Sequence, residues 1–242
     1  MKAEFEFAQI NSFSHRLVTG IIGLLLNIIC DIDDAMLEKV PASGPLILVT
    51  NHVNFLDAPV IYTHMMPRRI TALVKEETWA NPILGYLFSL WGGIAIRRGE
   101  MDLKAFRKAK QALVLGYILI IAPEGTRSGN GVLQKGYSGT SVLAAHTQAP
   151  MIPLALIGCE AFWHNIRRLK RTKITIKVGE PFNIRSATRQ PDRGLREQIT
   201  NDIMCRIAAL LPESQRGPYR SCPSQSISMA GGLILAKQGR IE

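Results

Sequence analysis

The segment NHVNFLD, residues 51–57, places an imidazole and a carboxylate five positions apart, directly after the apolar run PLILVT. Free histidine has a pKa of about 6.5, so the imidazole of His52 is a competent proton acceptor at neutral pH. A carboxylate on its other nitrogen would fix the tautomer and stabilise the imidazolium formed during a reaction. His52 and Asp57 are therefore the first candidates for a general base and its orienting partner.

The spacing leaves a purely structural alternative open. Five residues along a helix turn through roughly 500°, which separates two side chains by about 140°, so the pair meets more easily with His52 in a turn. Asp57 followed by Ala58 and Pro59 is typical of a helix start, because Asp caps helices and Pro suits the first turn. Asp57 as a simple cap, with His52 as an ordinary loop residue, fits the same pattern.

No serine nucleophile accompanies the pair. The segment GYSGT, residues 136–140, resembles the G-x-S-x-G elbow, but position 140 is Thr and no apolar strand precedes it. Ser138 is therefore not assigned as a nucleophile. A base without a serine indicates that the substrate's own hydroxyl is activated for direct acyl transfer. The remaining histidines lack metal-ligand spacing, so no metal site is predicted.

A second set of residues suits an anion, although a solvated turn with a surface arginine fits the same pattern. PEGTRSGNG, residues 123–131, combines glycines such as Gly125, whose backbone can approach a phosphate, with the guanidinium of Arg127. Arg97 and Arg98 end the segment GGIAIRR, and one of the two could meet the same phosphate while the other faces solvent.

Three further residues near these segments have less defined roles. Glu124 could hold Arg127, bind a substrate hydroxyl or orient its turn, and the sequence leaves these roles open. Lys75 and Lys135 are weaker candidates for the phosphate, since each also fits a solvated surface charge.

Apolar strands alternate with helical segments, which predicts an α/β fold with a mainly parallel sheet flanked by helices. Ligands of such sheets bind beyond the carboxyl ends of the strands. NHVNFLD and EGTRS each follow an apolar strand directly, so we expect both to face one crevice. The predicted strands are residues 45–50, 69–75, 93–98, 117–123, 151–158 and 173–179, and the predicted helices are residues 57–66, 81–92, 101–116, 138–148 and 192–211.

Composition indicates an anionic partner. The chain has 242 residues and a formal net charge of +10, which favours a phosphorylated substrate, an acidic lipid surface or nucleic acid. No nucleic-acid-binding module accompanies this charge, and the cluster RRLKR at residues 167–171 suits an anionic membrane. The four cysteines, at positions 30, 159, 205 and 222, show no CxxC pair and are predicted to be reduced thiols of a cytosolic protein.

Three regions are predicted along the chain: an N-terminal helical, membrane-associating segment at 1–40, an α/β domain at 41–211 and a tail of unassigned role at 212–242. The apolar stretch at 17–29 would span only about 20 Å, too short for a bilayer core of about 30 Å. An interfacial helix and an ordinary buried helix both fit it. Residues 30–44 are predicted to be a linker.

Taken in order, these segments resemble the glycerolipid acyltransferase family, whose best-known members acylate 1-acyl-glycerol-3-phosphate to phosphatidic acid. NHVNFLD matches the family motif N-H-x-x-x-x-D fully, and APEGTRS matches [FV]-P-E-G-T-R-S except at Ala122. GGIAIRR matches the second motif loosely, with Ala95 at a usually bulkier position, and MIPLAL at Pro153 matches the fourth. The resemblance covers roughly residues 40–180.

By this resemblance, His52 is the general base and Asp57 its partner. The resemblance also implies that Glu124, Gly125 and Arg127 help to bind the acceptor phosphate, assisted by an arginine of the second motif. It implies a lysophospholipid acceptor, acyl-CoA or acyl-carrier protein as the donor, no cofactor, and a protein associated with the cytoplasmic face of a membrane. A thioester hydrolase using the same dyad on water, and a non-catalytic lipid-binding membrane protein, are the alternatives.

Overall fold

Seven strands form one sheet in the computed structural model, which describes residues 12–97, 102–186, 191–222 and 233–234. The sheet order is β1-β7-β6-β2-β5-β3-β4, and every neighbouring pair is parallel except β6 and β7. The predicted mainly parallel sheet is confirmed. The strands are β1 (Cys30–Asp33), β2 (Leu46–Thr50), β3 (Ile70–Lys75), β4 (Ile94–Ile96), β5 (Ile118–Ile121), β6 (Met151–Ile157) and β7 (Thr172–Val178).

Helices cover both faces of this sheet. In the described ranges they are α1 (Phe13–Ile29), α2 (Asp57–His64), α3 (Pro82–Leu90), α4 (Leu103–Val114), α5 (Gly139–Thr147), α6 (Phe162–Ile166) and α7 (Arg193–Leu210). A separate two-stranded pair joins β8 (Arg185–Ser186) to β9 (Leu233–Ile234).

Two hydrophobic cores lie on opposite faces of the sheet. In β2, Ile47 and Val49 belong to the core beneath α4, α5 and α7, whereas Leu46 and Leu48 belong to the core beneath α1 and α2. All four side chains are buried. A strand buried on both faces needs apolar residues at every position, which is why PLILVT reads as a continuous apolar run.

Polar side chains fix where several helices begin. Asn81 accepts hydrogen bonds from the backbone N–H groups of Ile83 and Leu84, and Pro82 occupies the first turn of α3. Asp102 and Asp192 cap α4 and α7 in the same way. The helix predicted at residues 81–92 is observed as α3.

The interpretation of residues 30–44 as a linker is wrong for its first part. Cys30–Asp33 forms β1, which pairs in parallel with β7 and gives the sheet its outer strand. β7 itself alternates buried and more exposed residues, and β1 pairs along its outer side.

The N-terminal helix α1 has one side packed on the domain and one side exposed. Its inner side contacts the domain: Trp91 donates its indole N–H to the Thr19 hydroxyl at 2.9 Å, and Gly23 lies against Thr63 of α2. Its outer side exposes large apolar residues. Among residues 12–97, 102–186 and 191–222, no helix is long and apolar enough to cross a membrane. The earlier start of the predicted N-terminal helix lies outside the described residues.

The cysteines differ from the prediction of four reduced thiols. Cys205 of α7 and Cys222 form a disulfide, while Cys30 and Cys159 are free and buried. The tail is also ordered over its first residues, with two short 3₁₀ turns at Glu213–Gln215 and Gly217–Tyr219.

Candidate active site

His52 and Asp57 meet in the loop that follows β2. The Nδ1 atom of His52 lies 2.7 Å from Oδ2 of Asp57, and the imidazole is 20% exposed while the carboxylate is buried. With Nδ1–H donating to the carboxylate, Nε2 is the nitrogen left to take a proton from a substrate. The expected proximity of the two side chains is confirmed.

Asp57 does not cap its own helix. The cap position of α2 is Leu56, and the Asp57 carboxylate turns back to accept the backbone N–H groups of Val53 at 2.7 Å and Asn54 at 3.0 Å. The alternative reading of Asp57 as a simple helix cap is therefore wrong.

Two asparagines that the sequence reasoning missed fix this loop to the neighbouring strand. The Asn51 amide donates to the Leu156 carbonyl at 2.9 Å and accepts the Leu156 N–H at 2.8 Å. Asn54 donates to the Cys159 carbonyl at 2.6 Å. Asn51 and Asn54 lie on either side of His52, in the loop after β2. Their side-chain amides carry both a donor and an acceptor, and this was the only sign in the sequence that they could fix the loop.

Glu124 joins the two candidate loops. Its carboxylate accepts the His52 N–H at 2.6 Å on one oxygen and the Gln134 N–H at 2.8 Å on the other, and it is buried. Burial raises the pKa of Glu124 to about 7, with a smaller contribution from the Asp57 charge, while the two backbone N–H donors oppose the shift.

The loop after β5 also pairs directly with the loop after β2. The backbone N–H of Ser128 donates to the His52 carbonyl at 2.8 Å, and that of Gly129 donates to the Val53 carbonyl at 2.9 Å. NHVNFLD and EGTRS therefore share one edge of the sheet, as expected. Arg127 is exposed on the second loop, one residue from this pairing.

Gly125 is required by its backbone. Its φ of +64° lies in the left-handed region, and a Cβ there would lie 3.2 Å from the Tyr137 ring. Any larger residue would strain the turn that presents Arg127.

The basic residues of the other strands lie farther along the same edge. β4 is three strands from β2 in the sheet, which separates these two strands by about 14 Å at the usual strand spacing. Its Nε lies 3.9 Å from Glu76 and 4.0 Å from Asp102, and its side chain is largely exposed. Lys75 pairs with Glu77 at 3.1 Å. Lys135 is exposed beside Gln134. Arg98 lies outside the described residues.

Cys159 lies beneath the site and is not suited to nucleophilic chemistry. Burial raises the pKa of its thiol well above the usual value, and the Asp57 and Glu160 carboxylates add to the shift. Over the described ranges, no group of three His, Cys, Asp or Glu side chains is arranged to hold a metal ion.

Comparison with known proteins gives one family. A family model described as Acyltransferase matches residues 31–157. That stretch contains both β2 and β5 with the loops that follow them.

Several curated relatives are named as acyltransferases. A 1-acyl-sn-glycerol-3-phosphate acyltransferase of Limnanthes alba is 29% identical over 72% of this chain and 61% of its own length. One of Cocos nucifera is 30% identical over 70% of this chain and 55% of its own length. A lyso-ornithine lipid O-acyltransferase of Pseudomonas aeruginosa is 33% identical over 42% of this chain and 38% of its own length. The chain thus spans about two fifths to three fifths of the length of these relatives.

A solved structure shares the fold. The 1-acyl-sn-glycerophosphate acyltransferase PlsC from Thermotoga maritima matches with a TM-score of 0.55 and 22% identity. The match covers 81% of this chain and 82% of the other.

Proposed function

Because this chain belongs to the acyltransferase family, we propose that it transfers a fatty acyl group from an acyl thioester to the hydroxyl of a lysophospholipid. The expected acceptor is 1-acyl-glycerol-3-phosphate and the product phosphatidic acid, in keeping with the names of the relatives. The observation that carries the proposal is the 2.7 Å contact of His52 and Asp57 beside a glycine- and arginine-containing loop.

His52 acts as the general base in this proposal. Nε2 removes the proton from the acceptor hydroxyl, and the oxygen attacks the thioester carbonyl to form the new C–O bond. The tetrahedral intermediate then collapses, the C–S bond breaks, and the departing thiolate takes the proton from the His52 imidazolium. Asp57 holds Nδ1–H throughout and stabilises the imidazolium between these two steps.

The acceptor phosphate is proposed to bind at the loop after β5. Arg127 is exposed there and can grip a phosphate through two N–H groups, and the backbone at Gly125 can approach it closely. Arg97, Lys75 and Lys135 are proposed to supply further positive charge, and Arg98 is a further candidate that lies outside the described residues.

Glu124 receives a different role from direct phosphate contact. Both of its oxygens already accept backbone N–H groups, and an anionic carboxylate would repel a phosphate. We assign it to positioning: it holds the main chain of His52 against the loop that carries Arg127.

The proposed acceptor is a membrane lipid, and the outer side of α1 is proposed to bind the membrane. Apolar side chains at a helical spacing form one exposed stripe, and Leu24 is 65% exposed. The apolar face consists of Phe13, Leu17, Ile21, Leu24, Leu25 and Ile28.

The loop at residues 167–171 continues this surface with positive charge. Arg171 donates to the carbonyls of Asn27 and Cys30 at the end of α1, so the loop is fixed to that helix. Arg167, Arg168 and Lys170 are exposed beside it, and Leu169 is 95% exposed. Basic residues flanking exposed apolar ones match an anionic lipid surface.

Purified protein in detergent, supplied with lysolipids and an acyl-CoA or acyl-carrier-protein donor, tests the activity by product mass. We expect acylated lysolipid from the wild type and its loss in His52→Ala. His64→Ala is the control, since that imidazole bonds only within α2 in the described structure. Free fatty acid formed equally with and without acceptor would identify a thioester hydrolase. Vesicle binding without turnover would identify a non-catalytic lipid-binding protein.

A further inference from the structure

Residues 213–222, which follow α7, fold back onto the loop at residues 131–137. This loop contains Gln134, whose backbone N–H donates to the Glu124 carboxylate. The Leu133 N–H donates to the Gln215 carbonyl at 2.8 Å, and the Gly136 N–H donates to the Tyr219 hydroxyl at 3.1 Å. Gln134, the residue that donates to Glu124, lies between these two contacts. The segment therefore restrains that loop on both sides of its link to the active site.

The contact between tail and loop is closely packed. Gly217 has a φ of +52°, and a Cβ there would collide with the Leu133 carbonyl. A Cβ at Gly131 would lie 3.1 Å from the Glu160 carboxylate and 3.3 Å from the Gln215 amide, which themselves hydrogen bond at 2.8 Å. Space at this junction is available only to glycine, so the two segments are fitted to one another.

The segment is anchored at its far end. Cys222 forms a disulfide with Cys205 of α7, and the Tyr219 side chain is buried in the core next to that helix. Met204, the residue before Cys205 in α7, also lies against Gly136. A Cβ on Gly136 would lie 2.7 Å from the Cγ of Met204. The loop is thus held between α7 and the tail.

We propose that residues 213–222 are a positioning brace for the active site, with Tyr219 as its positioning residue. The Tyr219 hydroxyl holds Gly136, which keeps the Gln134 N–H on Glu124, and Glu124 in turn keeps the His52 main chain in place. Lys135 belongs to the braced loop, so the brace also sets the position of that cation. The inference deepens the proposed acyl transfer and rests on it for its kinetic readout.

Tyr219→Phe tests the brace, since it keeps the ring and removes the hydroxyl oxygen that accepts the backbone N–H of Gly136. The matched control is Tyr62→Phe, which removes a hydroxyl that is buried without a hydrogen-bond partner in the described structure. We expect kcat/KM for the lysolipid to fall roughly five-fold in Tyr219→Phe, the effect of one lost hydrogen bond, and to stay unchanged in Tyr62→Phe.

Two readouts separate positioning from general loss of stability. Loss of the Gln134 bond removes a donor that lowers the pKa of Glu124, so in Tyr219→Phe the pH dependence of stability that Glu124 contributes moves to higher pH. Amide hydrogen exchange in residues 131–137 rises in Tyr219→Phe and in Cys222→Ser, but not in Tyr62→Phe.

The exchange measurement does not depend on the substrate. If the wild type turns over no lysolipid, the proposed function fails while exchange still reports on the brace. Unchanged exchange at residues 131–137 together with an unchanged kcat/KM in Tyr219→Phe would overturn the brace.

Discussion

The carboxylate of Glu124 accepts the backbone N–H of His52 at 2.6 Å, so a buried acid from one loop holds the main chain of the candidate base in the other. Asp57 holds the imidazole of the same residue at 2.7 Å. Two acids thus act on one histidine in different ways, one through its backbone and one through its ring. Burial raises the pKa of Glu124, whereas Asp57 contacts the imidazole directly. Changing Glu124 should therefore alter stability, and changing Asp57 should alter the rate.

Asp57→Asn should lower kcat by roughly 10²–10⁴-fold, because the imidazole loses the charge that stabilises its protonated form. Steady-state rates at saturating lysolipid and donor measure this effect. Asp31→Asn is the control, since Asp31 is exposed on β1. A variant with near wild-type kcat would remove Asp57 from the mechanism.

Glu124 should make stability fall as pH rises. Its folded pKa of about 7 lies above the ordinary 4.5, so the folded state binds the extra proton between these values. This contribution is fully present below about pH 4.5 and is lost as pH rises through 7, with a size of up to about 3 kcal/mol.

Urea unfolding of wild type and Glu124→Gln at pH 5 and pH 8 checks this dependence. The free energy of unfolding of the wild type, relative to the variant, should be lower at pH 8 than at pH 5. Groups other than Glu124 cancel in that comparison. Glu38→Gln, at an exposed carboxylate, should show no such change. An equal difference at both pH values would show that Glu124 titrates normally.

Arg127→Ala should raise KM for a phosphate-bearing lysolipid by roughly 10–100-fold, since a charged hydrogen-bonding group to the phosphate is lost. The kcat should change much less. Arg193→Ala, at an exposed arginine of α7, is the matched control. An equal loss with a lysolipid that lacks the phosphate would mean that Arg127 does not recognise this group.

Much of the sheet could be predicted from the sequence, because strands buried on both faces appear there as continuous apolar runs. The apolar runs at 45–50 and 117–123 became central strands, β2 and β5, and the polar segments after them met at one edge. That meeting needs only the parallel direction of the strands, which the alternation of strands and helices predicts.

The missed features depend on distant partners. Cys30–Asp33 is a strand only because β7 pairs with it; its two carboxylates and short length give no strand pattern. The disulfide joins cysteines 17 positions apart, and spacing alone does not show which cysteines meet. Glu124 had three possible roles in the sequence, and the decisive fact, two backbone N–H groups on one carboxylate, belongs to the tertiary structure.

The exposed stripe of α1 leads to a prediction about membrane binding. Leu24→Glu should lower the partition of the protein onto vesicles containing phosphatidylglycerol by about tenfold or more, because the leucine loses its apolar burial and a like charge is added. Val114→Glu is a matched control, since Val114 is 77% exposed on α4, which covers the opposite face of the sheet.

Vesicle flotation at low and high salt separates the two contributions to this binding. Salt should weaken binding of the wild type to anionic vesicles by screening the basic loop at 167–171, and the apolar stripe should account for the remainder. Equal partition of wild type and Leu24→Glu at both salt concentrations would show that α1 does not contact the lipid.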